Sequence, residues 1–166
     1  MCFNYFRHLG NILIRPTKIK MIRFDGTNQI ASEGFIVSII DFSLARLQTG
    51  KKLHYRDLSA DEWLFNGDAS RSGQYEVYRK MRDLVKDNWA EFYPRTNLFW
   101  LEYIAKTLFD RLSVSKQKSK IGRELSHFLE IGCGQYESCQ DLLCKDVLYR
   151  SWIKTRLIHK IKIWRR

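Results

Sequence analysis

The sequence has few of the residues that mark disordered, fibrous or membrane-spanning chains. Its 166 residues include 9 Gly and 2 Pro, too few for collagen or a low-complexity linker, and its 45% hydrophobic content argues against intrinsic disorder. The longest uninterrupted apolar stretches, such as residues 35–37 and 39–40, are far shorter than a bilayer span. We therefore expect one soluble domain, and a domain of about 150 residues buries roughly 70% of the surface of its unfolded chain.

Cysteine is also scarce, and the start of the chain carries no export signal. The last three of the four cysteines have the spacing C-x5-C-x4-C, which differs from the paired C-x2-C patterns of zinc sites. The opening residues MCFNYFR lack a basic region followed by a long apolar stretch, so we expect no signal peptide. We therefore expect reduced thiols and a cytosolic or nuclear location. The cysteines are Cys2, Cys133, Cys139 and Cys144.

Acidic residues are absent from the C-terminal segment, residues 150–166. The chain has 29 Lys and Arg against 18 Asp and Glu, a net charge of +11, and seven of the basic residues lie in this segment, which leaves +4 for residues 1–149. Ile153, Leu157 and Ile161 share one face at helical spacing with Trp164. The segment is predicted to be a basic helix that could contact nucleic acid, an anionic membrane or an acidic partner. We favour a helix that docks on the body with a solvated basic face.

Apolar periodicity divides the remaining chain into a strand-rich beginning and a helical remainder. Short apolar runs bounded by turn residues predict strands at residues 11–14, 19–24, 35–40 and 53–55. Apolar residues three and four apart predict helices at 75–86, 97–112 and 116–131. The predicted fold class is therefore α+β and mainly helical, with a few short strands near the N-terminus.

Local signals predict where several helices begin and end. Ser59 and Glu62 have the spacing of a capping box before a short helical turn, and Gly132 and its neighbours end the helix at 116–131. Ser138 is placed to cap a further helix that contains Leu142 and Leu143. The helix at 97–112 has an apolar stripe made of Leu98, Leu101, Ile104, Leu108 and Leu112.

Two short passages suggest chemistry as well as packing. Asp41 follows the apolar run 36–40, and a carboxylate fixed at the end of a strand can bind a divalent cation through oxygen. Taken alone this signal is weak, because many strands end in a solvated or helix-capping Asp. Asn11 directly precedes another short strand. Protein kinases hold two magnesium ions between a catalytic-loop Asn and the Asp of a DFG-type triplet, with strands between them, and both appear here in that order.

From about residue 8 to residue 149 the sequence resembles the C-terminal lobe of haspin, an atypical Ser/Thr kinase family that phosphorylates a threonine near the start of a core histone tail. No Ala-Pro-Glu motif closes the activation segment, which is a feature of that family. The matching stretches, in order, are HLGNILI, VSIIDFSLARL, DLSADEWLFNGD, QYEVYRKM, NWAEFYPRTNLFWLEYI and DLLCKDVLY.

The resemblance implies roles for particular residues. Asn11 and Asp41 resemble the metal ligands, His8 resembles a residue beside the substrate threonine, and Asp61 resembles one of the acidic residues that hold the basic histone peptide. At the neighbouring acidic position this chain has Trp63. Alternative interpretations are that Asp61 only caps a helix and that His8 is a surface loop residue.

Parts of the family's machinery are not found in this sequence. The positions of the family's His-Arg-Asp motif hold Asn4, Tyr5 and Phe6, so no catalytic base is predicted, because phenylalanine cannot accept a proton. No Gly-rich loop, lysine strand or partnering glutamate precedes Asn11. We expect residues 1–149 to be a kinase C-lobe fragment that lacks its N-lobe and base segment, followed by the basic segment 150–166.

Three functional hypotheses remain at this point. The first is a truncated haspin-type kinase that is inactive alone and whose family uses ATP and Mg2+ as cofactors. Its expected partners are histone tails or chromatin proteins. Its expected location is the nucleus and chromosomes, with the cytoplasm as the alternative, and no membrane contact is expected. The second is a degenerate pseudokinase lobe that acts as a chromatin or protein-binding scaffold. The third is a basic nucleic-acid-binding module that uses residues 150–166.

Overall fold

The computed structural model describes residues 2–3, 9–23, 28–146, 149 and 153–155, with residues 2–3, 133 and 153–155 described by their backbone alone. Short strands occupy the beginning of this part of the chain, and helices follow from residue 63. This mixture of short strands and helices agrees with the predicted α+β class.

The described strands form three small antiparallel sheets, with the orders β1-β6-β7, β2-β5 and β3-β4-β8. All four predicted strands are confirmed, as β2, β3, β5 and β7. The sequence did not predict β4 or β6, because their polar residues do not form an apolar run. The strands are β1 (Cys2–Phe3), β2 (Ile12–Pro16), β3 (Met21–Arg23), β4 (Asn28–Ala31), β5 (Phe35–Ile39), β6 (Arg46–Thr49), β7 (Lys52–His54) and β8 (Ile153–Thr155).

The helices follow the predicted order, with one division and one wrong cap. The predicted helix at 116–131 is two helices, because the Ser119 hydroxyl accepts a hydrogen bond from the Gly122 N–H at 3.3 Å and starts a new helix there. A Cβ on Gly122 would overlap the Gln117 carbonyl, so glycine permits this close approach. The helices are α1 (Trp63–Asn66), α2 (Gln74–Val85), α3 (Thr96–Asp110), α4 (Val114–Gln117), α5 (Lys120–Ile131) and α6 (Cys139–Lys145).

The predicted capping box at residues 59–62 is wrong. Helix α1 begins after Glu62 without a side-chain cap, and the Ser59 hydroxyl instead accepts a hydrogen bond from the Trp89 indole N–H at 3.1 Å. The cap predicted at Ser138 is confirmed, since its hydroxyl accepts a hydrogen bond from the Asp141 N–H at 3.0 Å. The predicted helix end at Gly132 is also confirmed, with a φ of 62°.

Helix α3 lies between two hydrophobic clusters, which explains why its predicted apolar stripe is only partly buried. Trp100 belongs to a cluster with residues of α1 and α2, whereas Leu98 and Ala105 belong to a second cluster with residues of α5 and α6. Leu101 and Leu108 of the predicted stripe are 36% and 43% exposed. A helix packed on two sides buries more than one stripe, and a single-stripe interpretation therefore fails.

The predicted helix in the C-terminal segment is contradicted at residues 153–155. These residues form β8, which pairs antiparallel with β4, with Ile153 opposite Ile30 and Thr155 opposite Asn28. An edge strand offers unpaired N–H and C=O groups, and the β-branched Ile153 and Thr155 favour an extended backbone. The rest of the predicted helix lies outside the described residues, and its nucleic-acid contact stays a prediction. In the described part of the chain, no helix combines the length and apolar character needed to cross a bilayer.

Two cysteines differ in exposure, and this difference gives a chemical prediction. Cys144 is exposed, whereas burial raises the pKa of the Cys139 thiol to about 11. Because the thiolate is the nucleophile, we expect iodoacetamide at neutral pH to alkylate Cys144 long before Cys139. Peptide mapping over a time course measures both rates. Equal rates would show that Cys139 is not protected, and both thiols should react at similar rates after unfolding in urea.

Candidate functional site

The β2–β5 ladder brings two predicted metal ligands, Asn11 and Asp41, to the same end. In this ladder Ile12 is opposite Ile39. Asn11 directly precedes β2, and Asp41 follows β5 with only Ile40 between them. A hydrogen bond from the Ile40 N–H to the Asn11 carbonyl, 2.9 Å long, extends the pairing to this end. Asn11 and Ile40 are therefore opposite each other at this end of the ladder, and Asp41 is the residue that follows Ile40.

Asn11 is buried and lacks a full set of hydrogen-bond partners. It is 6% exposed, and it ends a single 3-10 turn, Leu9–Asn11, that leads into β2. Its amide nitrogen Nδ2 is buried without a partner among the described residues. A buried amide is costly unless its donors are satisfied. Because Nδ2 is a donor, the amide oxygen Oδ1 is the atom that could coordinate a cation.

Asp41 has an unusual backbone conformation that its side chain stabilises. Its φ is 61°, in the left-handed region that few residues other than glycine adopt. Its Oδ1 accepts hydrogen bonds from the Ser43 hydroxyl at 2.7 Å and from the Ser43 N–H at 3.3 Å. This turn fixes the carboxylate at the end of β5 while leaving the residue exposed.

The donor atoms at this end of the ladder fit a hard divalent cation. One amide oxygen and one carboxylate are the ligand types that such ions prefer. In the residues that the structure describes, no group of three or more His, Cys, Asp or Glu side chains could hold a metal ion. Asn11 and Asp41 would therefore bind a cation with water or a ligand's phosphate oxygens as the remaining ligands.

Asp61, the predicted peptide-binding acid, lies just before α1 and contacts this chain's own residues. Its Oδ1 is 2.7 Å from the Arg56 guanidinium and accepts a hydrogen bond from the Trp63 indole N–H at 3.3 Å. Its Oδ2 is buried without a hydrogen-bond partner among the described residues. The carboxylate is thus held by a half-exposed arginine, which an incoming cationic side chain could replace. His8 and the base position Phe6 lie outside the described residues.

Sequence reasoning missed two charged groups that the fold buries. Arg46 is 9% exposed at the start of β6, and Asp146 is 7% exposed after α6. No local pattern marks either residue, since arginine and aspartate are normally exposed and their burial depends on tertiary contacts.

An asparagine before one strand, an aspartate after its antiparallel partner and a helical body that follows them in the chain are typical of protein kinases, which hold their metal ions at two such residues. The class of protein indicated by the fold and the site is therefore a protein kinase. A family model described as a haspin like kinase domain matches residues 6–132. The chain belongs to the haspin-like kinase family.

Individual relatives agree with this assignment. The chain is 33% identical over 151 residues to the serine/threonine-protein kinase haspin of Mus musculus, a match that covers 86% of this chain and 20% of the relative. It is 40% identical over 119 residues to the haspin homolog of Drosophila melanogaster, covering 70% of this chain and 21% of the relative. It is 36% identical over 137 residues to the haspin homolog of Arabidopsis thaliana, a match that covers 81% of this chain and 22% of the relative. The chain thus spans about a fifth of the length of these relatives.

Proposed function

We propose that this chain supplies the metal-binding strands and helical body of a haspin-type serine/threonine protein kinase, which transfers the γ-phosphoryl group of ATP to a threonine of a histone tail. The observation that carries the proposal is the location of Asn11 and Asp41 at the same end of the β2–β5 ladder, inside the family match. The proposed location is the nucleus, on chromosomes, where a histone tail is available.

The proposed mechanism gives each residue of the site a defined task. When bound, ATP with Mg2+ supplies the phosphoryl group and the cation charge that offsets the phosphates. Asn11 Oδ1 and the Asp41 carboxylate would hold the cation at the end of the β2–β5 ladder, and Ser43 keeps the carboxylate oriented through its 2.7 Å hydrogen bond. Phe6 at the base position cannot take the proton of the threonine hydroxyl. A general base contributes typically about 10²–10⁴-fold to such a reaction, so this chain is inactive by itself.

An exposed apolar face of the β2–β5 ladder supports a nucleotide or protein contact there. Ile14 is opposite Val37 in the ladder, and these side chains are 64% and 59% exposed. Phe35, two residues before Val37 and therefore on the same face, is 50% exposed. A two-stranded ladder is marginally stable in water, and contiguous exposed apolar groups mark contact surfaces. In our proposal a nucleobase and further kinase residues cover this face.

Asp61 and His8 are the residues proposed to contact the peptide. A basic side chain of the histone tail would displace Arg56 from the Asp61 carboxylate, and the 51% exposure of the Arg56 side chain makes this exchange feasible. Trp63 occupies the neighbouring acidic position of the family, so this chain offers fewer negative charges to a basic peptide. We therefore propose weak recognition of the histone tail by this segment.

Phosphoryl transfer by the 166-residue chain tests the proposed inactivity. We expect no labelling of a histone-tail peptide by radiolabelled ATP and Mg2+, because Phe6 provides no proton acceptor. Labelling that Asp41→Asn abolishes would overturn this expectation. Asp68→Asn is the matched control, since the Asp68 Oδ1 likewise accepts hydrogen bonds from the N–H and hydroxyl of the serine two residues later, Ser70, at 2.9 and 2.7 Å.

The second candidate function is a pseudokinase lobe that acts as a protein-binding scaffold, which Phe6 at the base position favours. Calorimetric titration with ADP, with and without Mg2+, separates the two candidates. A kinase-derived site predicts Mg2+-dependent binding that is lost in Asp41→Asn and retained in Asp68→Asn. A scaffold without a nucleotide site predicts no binding in any of the three proteins.

A further inference from the structure

Arg46 carries a buried positive charge without a carboxylate partner among the described residues. It is 9% exposed, and the ion pairs of the described part of the chain do not include it. Burial of an unpaired charge is costly, so buried arginines normally meet an anion. The position of Arg46 therefore needs an explanation that the metal site does not give.

Neighbouring groups fix the Arg46 side chain in one orientation. Its Nε donates a hydrogen bond to the Ala90 carbonyl at 2.7 Å, and its Nη2 donates one to the Gln48 side-chain oxygen at 3.4 Å. The guanidinium carbon lies 5.7 Å from the centre of the Phe92 ring. These two hydrogen bonds use two of the five N–H donors of an arginine, and the remaining donors can meet an acceptor from outside the chain.

An open cavity lies at this guanidinium group. Arg46, Gln48, Gly50 and Phe92 line a cavity of about 270 Å³. We call it the Arg46 cavity. Its volume is at the low end of ligand pockets, which are roughly 300–1,000 Å³, and it therefore suits a small ligand. None of the described residues that line it is acidic.

The β6–β7 hairpin adds positive charge at the cavity edge. Thr49 pairs with Lys52, so the turn consists of Gly50 and Lys51, and Gly50 has a φ of 58° that suits glycine. Lys51 and Lys52 are exposed on this turn. Glu91, next to Phe92 in the sequence, is also exposed, so solvent and salt screen its charge. The groups closest to a ligand in the cavity would be the Arg46 guanidinium and the Gln48 amide.

We propose that the Arg46 cavity is an oxyanion site that binds a phosphate monoester. The guanidinium group presents N–H donors in a planar arrangement that matches phosphate oxygens. The Phe92 ring offers an apolar wall to the carbon that carries the phosphate. Arg46 follows Asp41 by only five residues, so a bound phosphate would lie close in sequence to the candidate metal site.

The decisive variant is Gln48→Glu in the full chain. It keeps the side-chain shape and places a carboxylate next to Nη2, so it neutralises Arg46 without removing the arginine's hydrogen bond to Ala90. Calorimetric titration with O-phosphoserine at constant ionic strength should give binding to the wild type that is about tenfold or more weaker in Gln48→Glu. Gln140→Glu is the matched control, because Gln140 is exposed on α6 and the charge change is the same.

Inorganic phosphate is the second probe, and circular dichroism checks that each variant is folded. Binding of both probes, with loss in Gln48→Glu and retention in Gln140→Glu, supports an oxyanion site that accepts a monoester. Binding of inorganic phosphate alone overturns the monoester assignment. Absence of binding to the wild type, or equal affinity in wild type and Gln48→Glu, overturns the proposal as a whole.

Discussion

Replacing Trp100 by alanine is expected to lower the free energy of unfolding by about 3–5 kcal/mol, the usual cost of truncating a buried Trp or Phe. Trp100 is fully buried, and its ring packs edge-on against Tyr78 and Tyr103 at centroid distances of 5.2 and 5.9 Å. Its indole N–H lies 3.2 Å from the Met81 sulfur. The residue therefore connects α3 to α2, and its loss should weaken the whole helical body.

Urea unfolding followed by far-ultraviolet circular dichroism measures this effect. Trp63→Ala is the control, because Trp63 is 50% exposed and its truncation should cost less than about 1 kcal/mol. If Trp100→Ala is unfolded without urea, Trp100→Phe provides a measurable variant, which keeps an aromatic ring and should lose about 1–2 kcal/mol. Equal stability of Trp100→Ala and Trp63→Ala would contradict the assignment of Trp100 to the core.

Helix and strand positions were predictable where the apolar pattern was regular. Helix α2 differs from its predicted bounds by one residue at each end. The two unpredicted strands with polar residues, β4 and β6, form because neighbouring strands offer hydrogen-bond partners, which is a tertiary effect that local sequence does not encode. The same reason explains β8, where pairing with β4 overrides a helical spacing of apolar residues.

The candidate site was predictable in part, because its residues lie next to recognisable strands. Asn11 and Asp41 could be singled out from short motifs, and the fold places both at the same end of the β2–β5 ladder, whereas their role as metal ligands stays a prediction. Arg46 could not be assigned, since its burial results from contacts with Ala90 and Phe92, which lie more than forty positions later in the chain. The burial of Asp146 was missed for the same reason. Its contacts predict a large loss of stability when the residue is replaced.

Asp146 joins the segment after α6 to helix α5 and to Tyr136. Its Oδ2 lies 3.1 Å from His127 Nε2 and accepts a hydrogen bond from the Tyr136 hydroxyl at 3.2 Å. Its Oδ1 accepts a hydrogen bond from the Tyr149 N–H at 3.2 Å. Burial, followed by the charge of Asp146, raises the pKa of Tyr136, and the same causes raise the pKa of Tyr149 to about 12.

These tyrosines make stability depend on pH in the alkaline range. The folded protein holds the Tyr149 proton up to a pKa of about 12, whereas an unfolded tyrosine loses it with a pKa of about 10. The folded state therefore binds more protons between these values, and the free energy of unfolding falls as the pH rises from about 10 to 12. Below pH 10 both states are protonated and this contribution is fully present.

Asp146→Ala is expected to lower the free energy of unfolding by about 2–6 kcal/mol, because it leaves the buried Tyr136 hydroxyl and Tyr149 N–H without their acceptor, at roughly 1–3 kcal/mol each. Asp146→Asn keeps an acceptor oxygen and should lose less. Asp110→Ala is the matched control, since Asp110 is 57% exposed in an ion pair with Lys106 that contributes at most about 0.5 kcal/mol.

Two measurements distinguish a buried network from a general loss of packing in Asp146→Ala. Urea unfolding at neutral pH gives the stability difference, and ultraviolet titration of tyrosine ionisation gives the pKa values. Removal of the Asp146 charge should lower the pKa of both Tyr136 and Tyr149, whereas Asp110→Ala should leave them unchanged. If Asp146→Ala unfolds at a pH below the range in which the tyrosines ionise, the same titration is made with Asp146→Asn. Unchanged tyrosine titration in a folded Asp146→Asn protein, together with stability equal to that of Asp110→Ala, would mean that Asp146 neither holds nor influences these groups.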